Sequence, residues 1–220
     1  MSIGRVRAWR IVRRAFRDYP AGHRLHIAIR LLTCPFERTL DVIPPGARVL
    51  ELGAGHGVYA RLIAEERASE VVAVDPDLRK SLLPPPSPKI RKVAGYDESI
   101  RGTFDAVVLY DILYLVPREQ RRALLERVLA RLRPGGLFVL KDMDPRSRWK
   151  TSWGRAQEWL NTTFLGVTAG SGFVHDPPDE VAALLADIGF VGFEARRVDR
   201  GYPHPHILYT AKKRPVSSAQ

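Results

Sequence analysis

The segment that decides the fold reads Val49-Leu-Glu-Leu-Gly-Ala-Gly-His-Gly57. It is an apolar strand followed by glycines at alternate positions, and the residues after it predict a helix that begins near Val58. Glycine lets the backbone turn sharply and lets a ligand lie against it, and a helix N-terminus adds N–H donors that face the ligand. The pattern predicts a strand, a ligand-binding turn and a helix; a tight turn without a ligand is the simpler alternative.

Charge around this turn narrows the kind of ligand. The dinucleotide fingerprint G-x-G-x-x-G needs a glycine at position 58, where this chain has Val58. Glu51 ends the strand, and its carboxylate would repel a pyrophosphate but attract a cofactor that carries an ammonium and a sulfonium. Asp75 ends the next apolar segment, where a carboxylate either accepts both hydroxyls of an adenosine ribose or caps the turn before Pro76. The charges favour a positively charged nucleoside cofactor over a dinucleotide.

Short apolar strands alternate with helices through the rest of the chain. The predicted strands are residues 48–52, 71–75, 90–94, 104–110 and 137–141, the predicted helices are 57–66, 118–132 and 178–188, and the predicted closing hairpin is 191–197 with 206–212. Repeating β–α units indicate an α/β fold with a mainly parallel sheet covered by helices on both faces. The 220 residues, with 45% hydrophobic and 27% charged residues, fit a globular chain rather than a disordered or membrane-spanning one.

The chain divides into three predicted parts. Residues 1–43 form an N-terminal helical lid, residues 44–214 form a single globular domain, and residues 215–220 form a disordered tail. The alternating strands and helices occupy the second part alone.

The first 43 residues predict three helices. They cover residues 3–19 and 25–32, followed by a short helix that starts at Pro35 and ends before Pro44. The first helix carries six arginines beside an apolar stripe, which consists of Ile3, Val6, Trp9, Val12, Phe16 and Tyr19. Such a stripe either packs on the domain as a lid or lies on an anionic membrane.

The net charge of +11 comes from the two ends of the chain. Residues 1–40 hold nine arginines against two acidic residues, residues 195–214 contribute +5, and the remainder is −1. This distribution predicts an anionic partner at the ends. The single cysteine, Cys34, excludes an internal disulfide and a cysteine-based zinc cluster, and we predict no metal site. Without an apolar signal core or a spanning segment, the predicted location is cytoplasmic, with peripheral contact to an anionic membrane through residues 3–19 as an addition.

Four segments together resemble a known family. Residues 49–57, 71–75, 104–116 and 132–140 resemble, in the correct order, the class I S-adenosylmethionine-dependent methyltransferases. The resemblance spans residues 40–142 and implies a seven-stranded, mainly parallel, doubly wound sheet (the Rossmann-like methyltransferase fold), with the last strand antiparallel between the fifth and sixth. It also implies S-adenosylmethionine as cofactor and S-adenosylhomocysteine as product.

The resemblance further assigns residues to the cofactor. Glu51 and the glycine turn hold the methionine part, and Asp75 holds the ribose. The family often has an aspartate after the third strand for the adenine, but here Tyr96 occupies that position, so Asp97 is expected to bond the adenine while Tyr96 lines its ring. The full predicted set is Glu51, Gly53, Ala54, Gly55, Gly57, Asp75, Pro76, Tyr96, Asp97 and Tyr110.

Histidines are the candidate general bases. Ligands of open α/β sheets bind outside the carboxyl ends of the strands, which selects Tyr110-Asp111 after the fourth strand, Asp142-Met-Asp144 after the fifth and the turn of the closing hairpin. His204 and His206 lie in that turn, in a proline-stiffened segment, where they could contact a phosphate or, as neutral imidazole, remove a proton near pH 7. Incidental histidines in a rigid surface turn are the alternative. His175 is a weaker candidate for the same role, and His56 is expected only to fill the cofactor turn.

The acceptor is predicted by elimination. The fourth strand is followed by Tyr110-Asp-Ile-Leu113 rather than N-P-P-[FY] or D-P-P-[FY], which disfavours methylation of nucleic-acid base amines. Cys34 lies outside any strand-end motif, which disfavours a cysteine nucleophile for C5 methylation of pyrimidines. A small-molecule or lipid-like acceptor is therefore predicted, bound beside an aromatic segment made of Trp149, Trp153, Trp159 and Phe164 that either shapes the acceptor pocket or packs in the core. An RNA or other nucleic-acid methyltransferase is the alternative, because both ends are basic.

Overall fold

The molecule is built on one seven-stranded sheet. The computed structural model describes residues 3–77, 85–96, 100–146 and 175–216. Its strands are β1 (Ala47–Leu52), β2 (Ala68–Asp75), β3 (Ile90–Ala94), β4 (Phe104–Tyr110), β5 (Leu132–Met143), β6 (Phe190–Arg197) and β7 (His206–Lys213). Their order is β3-β2-β1-β4-β5-β7-β6, and β7 alone runs antiparallel to its neighbours. The predicted doubly wound sheet and the position of its last strand are confirmed.

Helices cover both faces of the sheet. They are α1 (Arg5–Ala15), α2 (Ala21–Thr33), α3 (Val58–Glu66), α4 (Arg118–Arg131) and α5 (Pro178–Ile188). The first three share a core with one face of β1, β2 and β4, and the last two share a core with the other face. Because the central strands are buried on both faces, they are nearly continuous apolar runs, as in the Phe104–Tyr110 strand.

The N-terminal segment departs from its prediction. The first helix spans Arg5–Ala15, and its buried face is Ala8, Ile11 and Val12, whereas Val6 is 72% exposed. The predicted stripe was wrong at Val6 because a three-residue spacing turns only 300°, so successive steps drift off one face of an α-helix. The predicted third helix is a pair of 3₁₀ turns, Phe36–Arg38 and Leu40–Val42.

Strand β5 begins five residues earlier than predicted. Leu132 pairs with Phe104, and the register shifts before Ala106 pairs with Leu137. The intervening Arg-Pro-Gly-Gly sequence, which lay between the predicted helix and the predicted strand, is part of the strand, and Gly135 has a positive φ of 73° at the irregularity.

The sheet topology positions the candidate site. The chain leaves β1 to one side for β2 and β3 and to the other for β4 and β5, and the crevice at this switch point lies beyond the carboxyl ends of β1 and β4. The turn between β6 and β7 reaches the same edge, where the Asp144 N–H donates to the Pro205 carbonyl at 2.8 Å. This edge carries the predicted site residues.

Some predictions concern parts outside the described residues. These are the predictions for Asp97, for Trp149, Trp153, Trp159 and Phe164, and for the tail beyond residue 216. Among the helices that the structure describes, none is long and apolar enough to cross a bilayer.

Candidate active site

The glycine turn is tied to β2 by its backbone. The N–H groups of Gly53 and Ala54 both donate to the Val74 carbonyl, at 2.8 and 2.9 Å. Gly53 has a φ of +74°, and a Cβ at this position would overlap the side chain of Ile112. Gly57, at φ +71°, precedes the first residue of α3. The turn therefore depends on glycine both for its conformation and for close approach.

Asp75 is held against the turn by two amides. Its Oδ2 accepts from the Gly55 N–H at 2.8 Å, and its Oδ1 accepts from the Asp77 N–H at 3.0 Å. The side chain is 6% exposed, while Pro76 beside it is exposed. Each carboxylate oxygen keeps a second lone pair, so the pair of oxygens fits two hydroxyl donors of a ribose.

Glu51 is a buried acid at the end of β1. It is 2% exposed, and its Oε2 has no hydrogen-bond partner among the described residues. Burial raises its pKa to about 8, although the nearby Arg30 charge opposes the rise. An unpaired buried carboxylate is costly on its own, and a ligand ammonium is a group that would offset this cost. The site therefore fits the predicted cofactor at this position.

A cleft of about 90 Å³ opens between α2 and the glycine turn. Its walls are His26, Arg30, Phe36, Glu51, Gly53, Ala54, His56, Val58, Tyr59 and Tyr110. Tyr110 is buried in an aromatic group, with its ring 4.8 Å from that of Phe36 and 4.6 Å from that of Tyr59. Four members of the predicted cofactor set thus line one cleft: Glu51, Gly53, Ala54 and Tyr110.

His56 joins the cofactor turn to α2. Its Nε2 lies 2.9 Å from His23 Nδ1, and its ring lies 4.9 Å from that of His26. The sequence interpretation placed His56 in the turn and did not anticipate these partners. The two α2 histidines were missed because helix-to-turn contacts of this kind carry no local sequence signal.

Tyr96 follows β3 and packs against the core on the α4 and α5 side of the sheet. The guanidinium carbon of Arg131 lies 6.0 Å from the centre of its ring. Its adenine role stays a prediction.

A buried ionic group lies at the carboxyl ends of β4 and β5. Asp111, at the end of β4, is paired with Lys141 of β5, and Arg30 of α2 lies 3.3 Å from its second oxygen. Burial alone would raise the pKa of Asp111, but these two cations lower it to about 2. Asp111 also has a φ of 59°, the only positive value among the described non-glycine residues. The sequence placed Asp111 at the acceptor side of the sheet but did not predict its partners Lys141 and Arg30, although a lysine ending an apolar strand was a usable signal.

The hairpin-turn histidines are buried at the strand edge. His206 is 2% exposed and donates from Nε2 to the Thr33 carbonyl at 2.6 Å. Burial first, and then the Lys141 charge, lower its pKa to about 2. His204 is 6% exposed, with its ring 5.8 Å from that of His206. Both lie at the predicted edge and both are buried, and their role as general bases stays a prediction.

His175 lies beside Asp142, one of the strand-end acids that the sequence placed at the acceptor side. Its Nδ1 is 2.7 Å from Asp142 Oδ1, and both side chains are largely buried, at 14% and 9% exposure. The ring of Tyr114 packs 4.5 Å from the imidazole. Asp142 is near the end of β5, so the pair belongs to the same edge of the sheet as Asp111. This histidine has the geometry of an oriented base.

Comparison with known proteins gives one family match. The family model described as "Methyltransferase domain" matches residues 24–194. A search of curated proteins finds no match.

Solved structures share the fold at low identity. A Burkholderia thailandensis 1,6-didemethyltoxoflavin-N1-methyltransferase, crystallised with 1,6-didemethyltoxoflavin and S-adenosylhomocysteine, is 20% identical with a TM-score of 0.61, covering 96% of this chain and 91% of that one. A chain of the complex between the Haloferax volcanii Trm112 methyltransferase activator and its methyltransferase is 14% identical with a TM-score of 0.69, and the match covers 95% of this chain and 100% of that one. A SAM-dependent methyltransferase from Aquifex aeolicus is 15% identical with a TM-score of 0.57, and the match covers 96% of this chain and 98% of that one.

Proposed function

Because the chain belongs to the methyltransferase-domain family, within the class I S-adenosylmethionine-dependent methyltransferases, we propose that it methylates a small-molecule or lipid-like acceptor in the cytoplasm. When bound, the cofactor supplies a methyl group already activated by its sulfonium. The protein must then align acceptor and methyl group, exclude water and remove a proton where the acceptor carries one.

The cofactor would be held by the residues that surround the glycine turn. The unpartnered Oε2 of Glu51 is placed to accept from the ammonium, and the two Asp75 oxygens from the ribose hydroxyls. The N-terminus of α3 adds N–H donors for the carboxylate of the methionine part. Of these groups, Glu51 and Val58, the first residue of α3, line the cleft itself.

His175 is the side chain best arranged to remove a proton from the acceptor. If its Nδ1–H donates to Asp142, Nε2 carries the lone pair and is free to accept a proton. The carboxylate also stabilises the imidazolium that forms. Tyr114, packed on the ring, limits the rotation of the imidazole. Asp142 is accordingly a positioning residue for His175.

His206 has a different role in this proposal. A pKa near 2 keeps its ring neutral and makes it a weak proton acceptor. Its bond to the Thr33 carbonyl instead fastens the end of α2 over the strand edge. We propose that His206, and His204 beside it, shape the acceptor pocket rather than exchange protons.

The proposal of a small acceptor rests on the way in which α2 covers the carboxyl edge of the sheet. Arg30 binds Asp111 and Thr33 binds His206, so α2 is attached to the ends of both β4 and β7. A covered edge suits a molecule that enters a pocket better than it suits a nucleic-acid duplex, whose base would have to be extruded to reach it.

The nucleic-acid alternative rests on the basic ends, and ion pairs neutralise part of that charge. Arg7 and Arg14 pair with Glu66 and Glu65, at 2.7 and 3.3 Å. Arg196 and Arg197 likewise pair with Asp41 and Asp199, both at 3.0 Å. Arginines held in this way are less available to phosphates.

The experiment follows the label from [methyl-³H]S-adenosylmethionine into low-mass, lipid-extractable and RNA fractions of a cell extract. We expect label in one of the first two, and loss of about 100-fold or more in rate for His175→Ala, the scale of general-base catalysis. Binding of S-adenosylhomocysteine to that variant should stay unchanged. Asp142→Asn should move the pH–rate profile, which a purely structural role would not do. Label found only in RNA would refute the acceptor assignment.

A further inference from the structure

The outer face of α2 is an exposed apolar stripe. It consists of Leu25, Ile29 and Leu32, which are 63%, 42% and 53% exposed. Their spacing of i, i+4 and i+7 places them on one side of the helix. Exposed single hydrophobic residues are ordinary, but three in register on one helix face are a patch.

The stripe is separate from the faces of α2 that the fold uses. Ile27 and Leu31 are buried in the core, and His26 and Arg30 line the cofactor cleft. The helix thus covers the cleft with one side and presents the stripe on the other. Neither described core cluster includes Leu25, Ile29 or Leu32.

Two arginines lie next to the stripe, and further cations lie on α1. Arg24 is exposed next to Leu25, and Arg5 donates to the Leu32 carbonyl at 3.1 Å, which places the start of α1 beside the end of α2. Across the described residues, Arg10, Arg13 and Arg24 have no carboxylate within ion-pair distance, and all three are exposed. Residues 1–40 carry +7 in total.

The arginines of α1 divide by helix face. Arg7 and Arg14 lie on the flank that pairs with the glutamates of α3. Val6 and Arg13, seven residues apart, share the side of α1 that points away from its buried residues Ala8, Ile11 and Val12, and Val6 is 72% exposed. The outer face of α1 therefore carries an exposed apolar side chain and a cation of its own.

We propose that this surface, the α2 stripe with the surrounding arginines, docks on an anionic lipid bilayer. An apolar face bordered by arginines is the composition of a helix that lies in a membrane interface, and each arginine near an anionic surface adds attraction that salt screens. A nucleic acid has phosphates for the arginines but nothing for the leucines. A second copy would bring one +7 region against another, which repel. The proposal holds whatever the acceptor of the methyl group is.

The test is co-sedimentation of the full chain with vesicles of phosphatidylcholine alone or of phosphatidylcholine with phosphatidylserine, at low and high salt. We expect binding to the anionic vesicles at least about tenfold tighter than to the neutral ones, and weaker at high salt. The triple variant Leu25→Asn/Ile29→Asn/Leu32→Asn should lose about tenfold or more of this affinity, and Arg10→Gln/Arg13→Gln should lose part of it. The control is Leu115→Asn, the same change at another exposed position, which should bind as the parent does.

Three results would overturn the proposal. The first is absence of binding to anionic vesicles at low salt. The second is equal binding by the triple variant and the parent. The third is a parent dimer that the triple variant converts to a monomer in sedimentation equilibrium, because the stripe would then be a contact between copies. Thermal unfolding of each variant shows that the fold is retained.

Discussion

Replacing Glu51 with glutamine should stabilise the protein while weakening its cofactor site. Burial moves the pKa of Glu51 from 4.5 to about 8. The folded state therefore binds a proton that the unfolded state releases between these values. By linkage, the free energy of unfolding is highest below pH 4.5, where Glu51 is protonated in both states, and it falls as pH rises from 4.5 to about 8.

The size of the pKa shift of Glu51 sets the expected change in the free energy of unfolding. At about 1.4 kcal/mol per pH unit, a change from 4.5 to about 8 corresponds to about 5 kcal/mol, an upper limit for a rigid site. Glu51→Gln removes the ionisation and keeps the shape. We expect the variant to gain about 2–5 kcal/mol over the parent at pH 9, and close to nothing at pH 4.5.

Urea unfolding of both proteins from pH 4.5 to pH 9 measures the difference. The matched control is Glu119→Gln, the same change at an exposed position on α4. Glu51→Gln should also weaken S-adenosylhomocysteine binding by about 1.5–3 kcal/mol, because the ammonium loses a charged acceptor. A pH-independent difference for Glu51→Gln, like that of Glu119→Gln, would contradict the raised pKa of Glu51.

Two further predictions concern the turn and the hairpin. Gly46 and Gly53 have nearly the same positive φ, +72° and +74°, but of the two only Gly53 has a neighbour, Ile112, that an added Cβ would meet. In urea unfolding, Gly46→Ala should cost about 1–2 kcal/mol and Gly53→Ala about 1–3 kcal/mol more. Equal costs would contradict the close approach of Ile112 to Gly53. Burial and Lys141 lower the pKa of His206 from 6.5 to about 2, so its contribution is present above pH 6.5 and is lost as pH falls below it. The parent should lose about 2 kcal/mol between pH 7 and pH 5 that His206→Gln, which keeps a donor for the Thr33 carbonyl, does not lose; identical pH dependence of the two proteins would argue against the buried neutral imidazole.

Sequence patterns predicted the sheet because its signals are local. Strand β4 is a continuous apolar run after Asp105, and the glycines of residues 53–57 have positive φ angles that other residues rarely adopt. The ionic group of Arg30, Asp111 and Lys141 could not be read in the same way, because its members come from three distant segments that meet only in the folded state. Pairing of this kind depends on tertiary distances, not on periodicity.

The histidine assignments show the same limit from the other side. The topology rule placed His204 and His206 at the correct edge, because the direction of the strands follows from connectivity. Burial decides whether an imidazole can act as a base, and burial depended on how α2 packs over the turn. Asp142, the partner of His175, was visible as a strand-end acid but had no sequence neighbour that would identify its role.

Helix α2 touches both halves of the edge, and this has a kinetic consequence. His26 and Arg30 wall the cofactor cleft, while Arg30 and Thr33 hold the ends of β4 and β7. A displacement of the helix that frees one ligand therefore opens the space of the other. Exchange of spent cofactor and departure of methylated product are thereby coupled to one motion, so the slow step of turnover can lie in helix opening rather than in methyl transfer.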